Sequence, residues 1–145
     1  SLRAAQNDIG KRSLFEVLDG RGYFLLESYE LHDSKRLKLV RVEKGSQVYV
    51  PENYSFTIIN TSKKKNLVCL SLLGTKAKFK GKTLEKNYGN TIFLTDNGFV
   101  RNNNSSSKYL LNEYEVDYLE DMKFDKKRGL YREFVELPEK FSFLK

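Results

Sequence analysis

The chain has no tryptophan and, across 145 residues, only one histidine, one cysteine, one methionine and two prolines. Each scarcity narrows what it can be. A single cysteine, Cys69, allows no internal disulfide and suits a reducing, intracellular compartment. It lies in the apolar run Asn66 to Leu72 with no base beside it, which reads as a structural thiol. One histidine, His32, is too few for a metal centre of several imidazoles or for a nucleophile–base–orienter relay. It sits in the polar stretch Leu31 to Lys35, read as a hairpin tip, where a solvated imidazole is the ordinary occupant. No apolar run approaches about 18 residues, so no membrane contact is expected. There is no phosphate-cradling glycine loop: Gly20-Arg21-Gly22 reads as a hairpin turn. No zinc-finger spacing, helix-turn-helix pattern or ribonucleoprotein motif is present. The opening Ser1-Leu2-Arg3 carries no initiator methionine and no signal-peptide pattern, so the reading is of a piece of a longer protein.

What is there is the composition of a packed domain, 39% hydrophobic and 13% aromatic. Leu14 to Leu18 and Tyr23 to Tyr29 flank a glycine turn; Leu37 to Val42, Val48 to Val50, Tyr54 to Ile59 and Leu67 to Leu73 follow. Roughly six short strands separated by turn chemistry predict an all-β sandwich or jelly roll. The expectation is one domain over 1–145, with a barrel core at 13–73. Residues 74–145 are expected to form an extension of extra strands or a short helix, packing on the barrel or binding a partner. Within it Thr91 to Leu94 reads as a strand between turns, and Asn102 to Ser107 as a polar loop. Tyr109 to Met122 is strand or helix, with alternation at Tyr114, Val116 and Tyr118 favouring strand. Leu130 to Leu137 alternates too and is read as a strand stopped by Pro138.

The net charge of +7 is concentrated in Lys63-Lys64-Lys65, in Lys76, Lys78, Lys80 and Lys82, and in Lys126-Lys127-Arg128. The first group reads as a solvated turn. The alternating lysines would share one face of an extended segment, a candidate basic contact face for nucleic acid or an acidic partner. Glu113, Glu115, Asp117, Glu120 and Asp121 read as an exposed acidic face or a dock for basic sequence, with an acid/base pair as the sharper alternative.

The most informative stretch is Gly45 to Asn60. Val48 and Val50 alternate at period two, Pro51-Glu52-Asn53 turns the chain, and Tyr54, Phe56 and Ile58 then share one strand face. Gly45, Pro51 and Asn60 stand in the register of the second cupin motif, with Asn53 at its second glycine and Phe56 at its metal-binding histidine. The stretch thus resembles a cupin barrel. The resemblance implies that Tyr54, Phe56 and Ile58 fill the cavity where a metal would sit. Counting back from Gly20 puts Ser13 at the glutamate of the first motif, with Gln6 and Asp8, or Asn7 and Ile9, at its histidines; counting from Gly22 puts Phe15 at the glutamate. Neither register supplies a ligand set, so no cofactor, no metal and no catalysis are expected.

Two families are similar. Leu14-Phe15-Glu16-Val17-Leu18-Asp19-Gly20 and Val50 to Asn60 resemble the C-terminal cupin of centromere protein C. That resemblance implies a homodimerising, partner-docking module of a nuclear, kinetochore-type protein. Leu18-Asp19-Gly20-Arg21-Gly22, Val48-Tyr49-Val50-Pro51, Tyr88-Gly89 and Gly98-Phe99 resemble the archaeal cupin-type phosphoglucose isomerases. There the metal positions fall on Ala4, Gln6, Ser13 and Phe56, implying a degenerate relative that binds a sugar or another small molecule in the cytoplasm. The first resemblance is taken as the main reading. Ile59, Leu67, Cys69 and Ser71 are expected to face away from the cavity, toward a second copy, a protein partner or the chain's own tail.

Overall fold

The computed structural model describes residues 4–7, 12–28, 34–74, 92–103, 108–115, 124–125 and 127–145, with backbone only at 4–7, 34–35 and 108–115. Among the described residues ten strands carry the fold: β1 Ala4–Asn7, β2 Ser13–Asp19, β3 Arg21–Ser28, β4 Ser34–Glu43, β5 Gln47–Val50, β6 Tyr54–Asn60, β7 Val68–Leu73, β8 Ile92–Thr95, β9 Gly98–Arg101 and β10 Lys108–Glu115. A helix, α1 Leu130–Glu136, and a 3-10 helix, Pro138–Leu144, follow. A five-stranded sheet runs β1-β6-β3-β4-β10 and a three-stranded sheet β5-β2-β7; β8 and β9 form a separate hairpin. Pairing is antiparallel except for β10, which runs parallel to β4 from Lys108 opposite Ser34 to Glu115 opposite Arg41. The fold is all-β and cupin-like.

The turns at Gly20 and at Pro51–Asn53 join strands of different sheets, so the turn read as a hairpin at Gly20 carries the chain from one sheet to the other. Gly20, between β2 and β3, holds φ 87°, and a Cβ there would stand 2.3 Å from the Asn66 carbonyl oxygen, so only glycine fits. Asn53, at the β5–β6 turn, holds φ 65°, a conformation asparagine tolerates better than most residues.

The sheets are apolar on both faces, and this produces three layers of core. Between the sheets lie Phe15, Val17, Phe24, Leu26, Val40, Val42, Val48, Val50 and Phe56. On the outer face of the large sheet, Leu25, Leu37, Leu39 and Ile59 are covered by Ile92, Leu94 and Phe99 of the β8–β9 hairpin. On the outer face of the small sheet, Leu14, Tyr49, Leu70 and Leu72 are covered by Phe124, Leu130, Phe141, Phe143 and Leu144. Runs such as Phe24-Leu25-Leu26 have no alternation because both sides of the strand are buried. Each fully buried large side chain contributes about 1.5–3 kcal/mol, so the covering segments are structural parts of the barrel.

Two expectations are corrected. Leu130 to Leu137 is a helix through Glu136, not a strand. Its buried residues, Leu130 and Glu133, are spaced as on one helix face, and Arg132 donates to Glu136 one turn on at 2.8 Å. A buried glutamate in the apolar stripe hid the helical period, while Pro138 starts the 3-10 helix. The second correction concerns β7. Leu67 and Cys69 pack against the inter-sheet core, and it is Leu70 and Leu72 that face outward. A strand buried on both faces gives no parity signal, and a register shift between Val17 and Asp19 adds to the error. Tyr109 to Met122 is strand as far as Glu115; residues 116–122, His32 and 104–107 lie outside the described residues.

Candidate functional site

The barrel interior is the position at which a cupin would do chemistry, and here three strands deliver phenyl rings to it. Phe15 comes from β2, Phe24 from β3 and Phe56 from β6, all nearly fully buried. Phe15 meets Phe56 edge-on at 4.7 Å and Phe24 at 5.2 Å; Phe24 and Phe56 lie 6.3 Å apart. These separations lie in the favourable range for aromatic pairs, each adding about 0.5–1.5 kcal/mol beyond area burial. Tyr54 and Ile58 pack against the same cluster. Tyr54 is half-buried, with the Lys38 ammonium 5.1 Å from its ring centre. Phe15 was read from the sequence as the residue at the first motif's glutamate when counting from Gly22, which its place beside Phe56 fits; Phe24 was read only as a strand residue.

The polar groups around the cluster do not make a ligand set. Ser13 is wholly buried on β2, opposite Val50 and Leu73. On β1, Gln6 pairs with Thr57 and Asn7 with Phe56. The four positions at which the isomerase resemblance places metal ligands, Ala4, Gln6, Ser13 and Phe56, are an alanine, a glutamine, a serine and a phenylalanine. A divalent transition metal wants about four imidazole, thiolate or carboxylate donors at roughly 2.0–2.2 Å. The residues do not fit one. No group of three or more histidine, cysteine or acidic side chains that could hold a metal occurs among the described residues.

Two side chains near the sheets have displaced proton affinities. Burial pushes the Cys69 thiol above its ordinary range. Burial also raises the Tyr49 phenol; the Arg12 cation opposes the rise and Glu52 adds to it. Both groups are therefore protonated at neutral pH, and Cys69 is a weak nucleophile there. A raised native value means that the stability these groups carry is present below the unfolded-state value and is lost as pH climbs through the native one, in the alkaline range.

The remaining expected contact residues are scattered. Ile59 is 4% exposed beneath the β8–β9 hairpin. Leu67 and Cys69 are half-buried against the inner core, and Ser71 is exposed on β7, opposite Phe15. They do not form one surface. Lys76, Lys78, Lys80 and Lys82 lie outside the described residues. Lys63 pairs with Asp96 at 3.2 Å, tying the β6–β7 turn to the hairpin tip; both side chains are largely solvated, so the pair adds little. No helix among the described residues is long and apolar enough to cross a membrane.

Two sheets packed on a common core, with the Gly45 to Asn60 stretch crossing from β5 on the small sheet to β6 on the large one, define a cupin-like β fold. Its family is more specific. The glucose-6-phosphate isomerase (GPI) family matches the chain over residues 5–110, from β1 into β10, and the chain belongs to that family. No curated protein matches it significantly. The match sides with the isomerase resemblance in the sequence and lends nothing to the centromere one.

Proposed function

We propose that this chain is a catalytically silent member of the glucose-6-phosphate isomerase family, used as a protein-docking module through its outer surface. The observation that carries the reading is the Phe15–Phe24–Phe56 cluster. Aldose–ketose isomerisation moves a proton between neighbouring carbons, which takes a positioned base and a group that stabilises charge on oxygen. Phenyl rings supply neither. With the interior serving as core, the surface is what remains for function. Phe93 and Val100, directly opposite one another on β8 and β9, are 43% and 42% exposed. Tyr131 and Val135, one turn apart on α1, are 66% and 59% exposed. Exposed aromatics of this kind are favoured at protein interfaces.

A second reading, a sugar phosphate held without turnover, is favoured by the family match and by the net charge of +7. Light scattering over a dilution series, with and without glucose 6-phosphate, separates the two. Docking between copies predicts a mass near twice 16.9 kDa, reduced to the monomer by Phe93→Asp with Val100→Asp. A monomer at every concentration, whose NMR resonances shift with the sugar phosphate, would carry the second reading instead.

A further inference from the structure

We infer that residues 124–125 and 127–145 belong to a strap that lifts off the small sheet as a cooperative unit of its own, more readily than the barrel unfolds, and that Gln47 weakens its seating. The strap is held to the barrel by side chains. Leu130, Phe141 and Leu144 lie on Leu14, Leu70 and Leu72, and Phe143 meets Tyr49 edge-on at 6.2 Å. Among the described residues no backbone hydrogen bond joins the strap to either sheet. The Leu130 amide donates to the Glu16 carboxylate on β2.

The strap's polar order is internal to it. Glu133, 1% exposed, accepts from Lys140 at 2.9 Å and pairs with Arg128 at 3.6 Å. Arg128 and Arg132 both reach Glu136. The Glu133 and Leu137 amides donate to the carbonyls of Gly129 and Glu133. None of these contacts breaks when the strap leaves, which is what a separately cooperative unit requires.

Gln47 works against closure. It pairs in register with Glu16 and alternates with the inward-facing Val48, so it shares the strap-covered face with Tyr49. It is 2% exposed, and neither its carboxamide oxygen nor its nitrogen has a hydrogen-bond partner. Seating the strap strips water from a group that receives nothing in return, whereas opening restores its hydration. At the far end the strap rests on Gly74, where a Cβ would stand 2.3 Å from the Leu144 carbonyl oxygen. Opening uncovers the apolar face of Leu14, Tyr49, Leu70 and Leu72. The inference does not depend on the isomerase question.

Native-state hydrogen exchange on the full chain tests it. The Glu133 and Leu137 amides are expected to exchange at least about tenfold faster than those of Phe24 and Leu25 in β3. Gln47→Leu should slow the strap amides by about tenfold and leave β3 unchanged. Gly74→Ala should speed the strap amides alone, and it decides the matter if the Gln47 variant does not fold. A common rate for strap and β3 in the unaltered chain would overturn the inference. So would variants that move both sets equally.

Discussion

Replacing Phe56 with alanine is expected to remove about 3–5 kcal/mol of folding stability, a large part of what a domain of this size possesses. The ring is 1% exposed and touches aromatic partners from two other strands. Truncation therefore loses the transfer term and also leaves a void that β2, β3 and β6, fixed by their ladders, cannot close. Urea unfolding of the two chains measures the difference, and the denaturant slope should stay the same. Were Phe56 instead lining an open cavity, its loss would remove far less, under about 1 kcal/mol, since little packing would be forfeited. Phe56→His is expected to be destabilising too. It puts a polar ring among phenyls, and Ser13 and the β1 positions offer it no companion ligands.

Ile59→Asp should be more damaging still, at or beyond about 4 kcal/mol. Ile59 is 4% exposed between the large sheet and the β8–β9 hairpin, packed with Leu25, Leu37, Leu39 and Ile92. These neighbours are all apolar, so the carboxylate would be desolvated among them. Circular dichroism and thermal unfolding of the variant are expected to show a largely unfolded or strongly destabilised chain. If Ile59 were instead on a free face used only between copies, the variant would be a stable, folded monomer. The two outcomes differ in kind and decide whether the hairpin is a fixed cover.

How much of this was legible in the sequence follows from where its signals were local. Glycine turns at Gly20 and Gly45, the Pro51–Asn53 turn and short apolar runs located the strands of the barrel, because turn chemistry acts over a few residues. Phe56 in place of a histidine was equally plain. Facing was not. Leu67 to Leu73 is apolar on both sides because one face meets the inner core and the other meets the strap, so period two carries no information there. Nor could the strand pattern show that residues 92–101 and 127–145 cover outer faces of different sheets, since that is a matter of long-range topology. The helix at Leu130 was obscured by Glu133, whose burial is made tolerable by Arg128 and Lys140. Gln47 looked like an ordinary polar strand residue, and its burial depends on tertiary packing that no local signal carries.

The most direct measurement is turnover. The full chain would be incubated with glucose 6-phosphate alone and with iron(II), manganese, nickel or zinc supplied in turn, and the ketose product followed. The expected result is no product above the protein-free background with any metal, and no stoichiometric metal retained after dialysis. Metal-dependent isomerisation by the unaltered chain would contradict the reading of the barrel interior as a packed core.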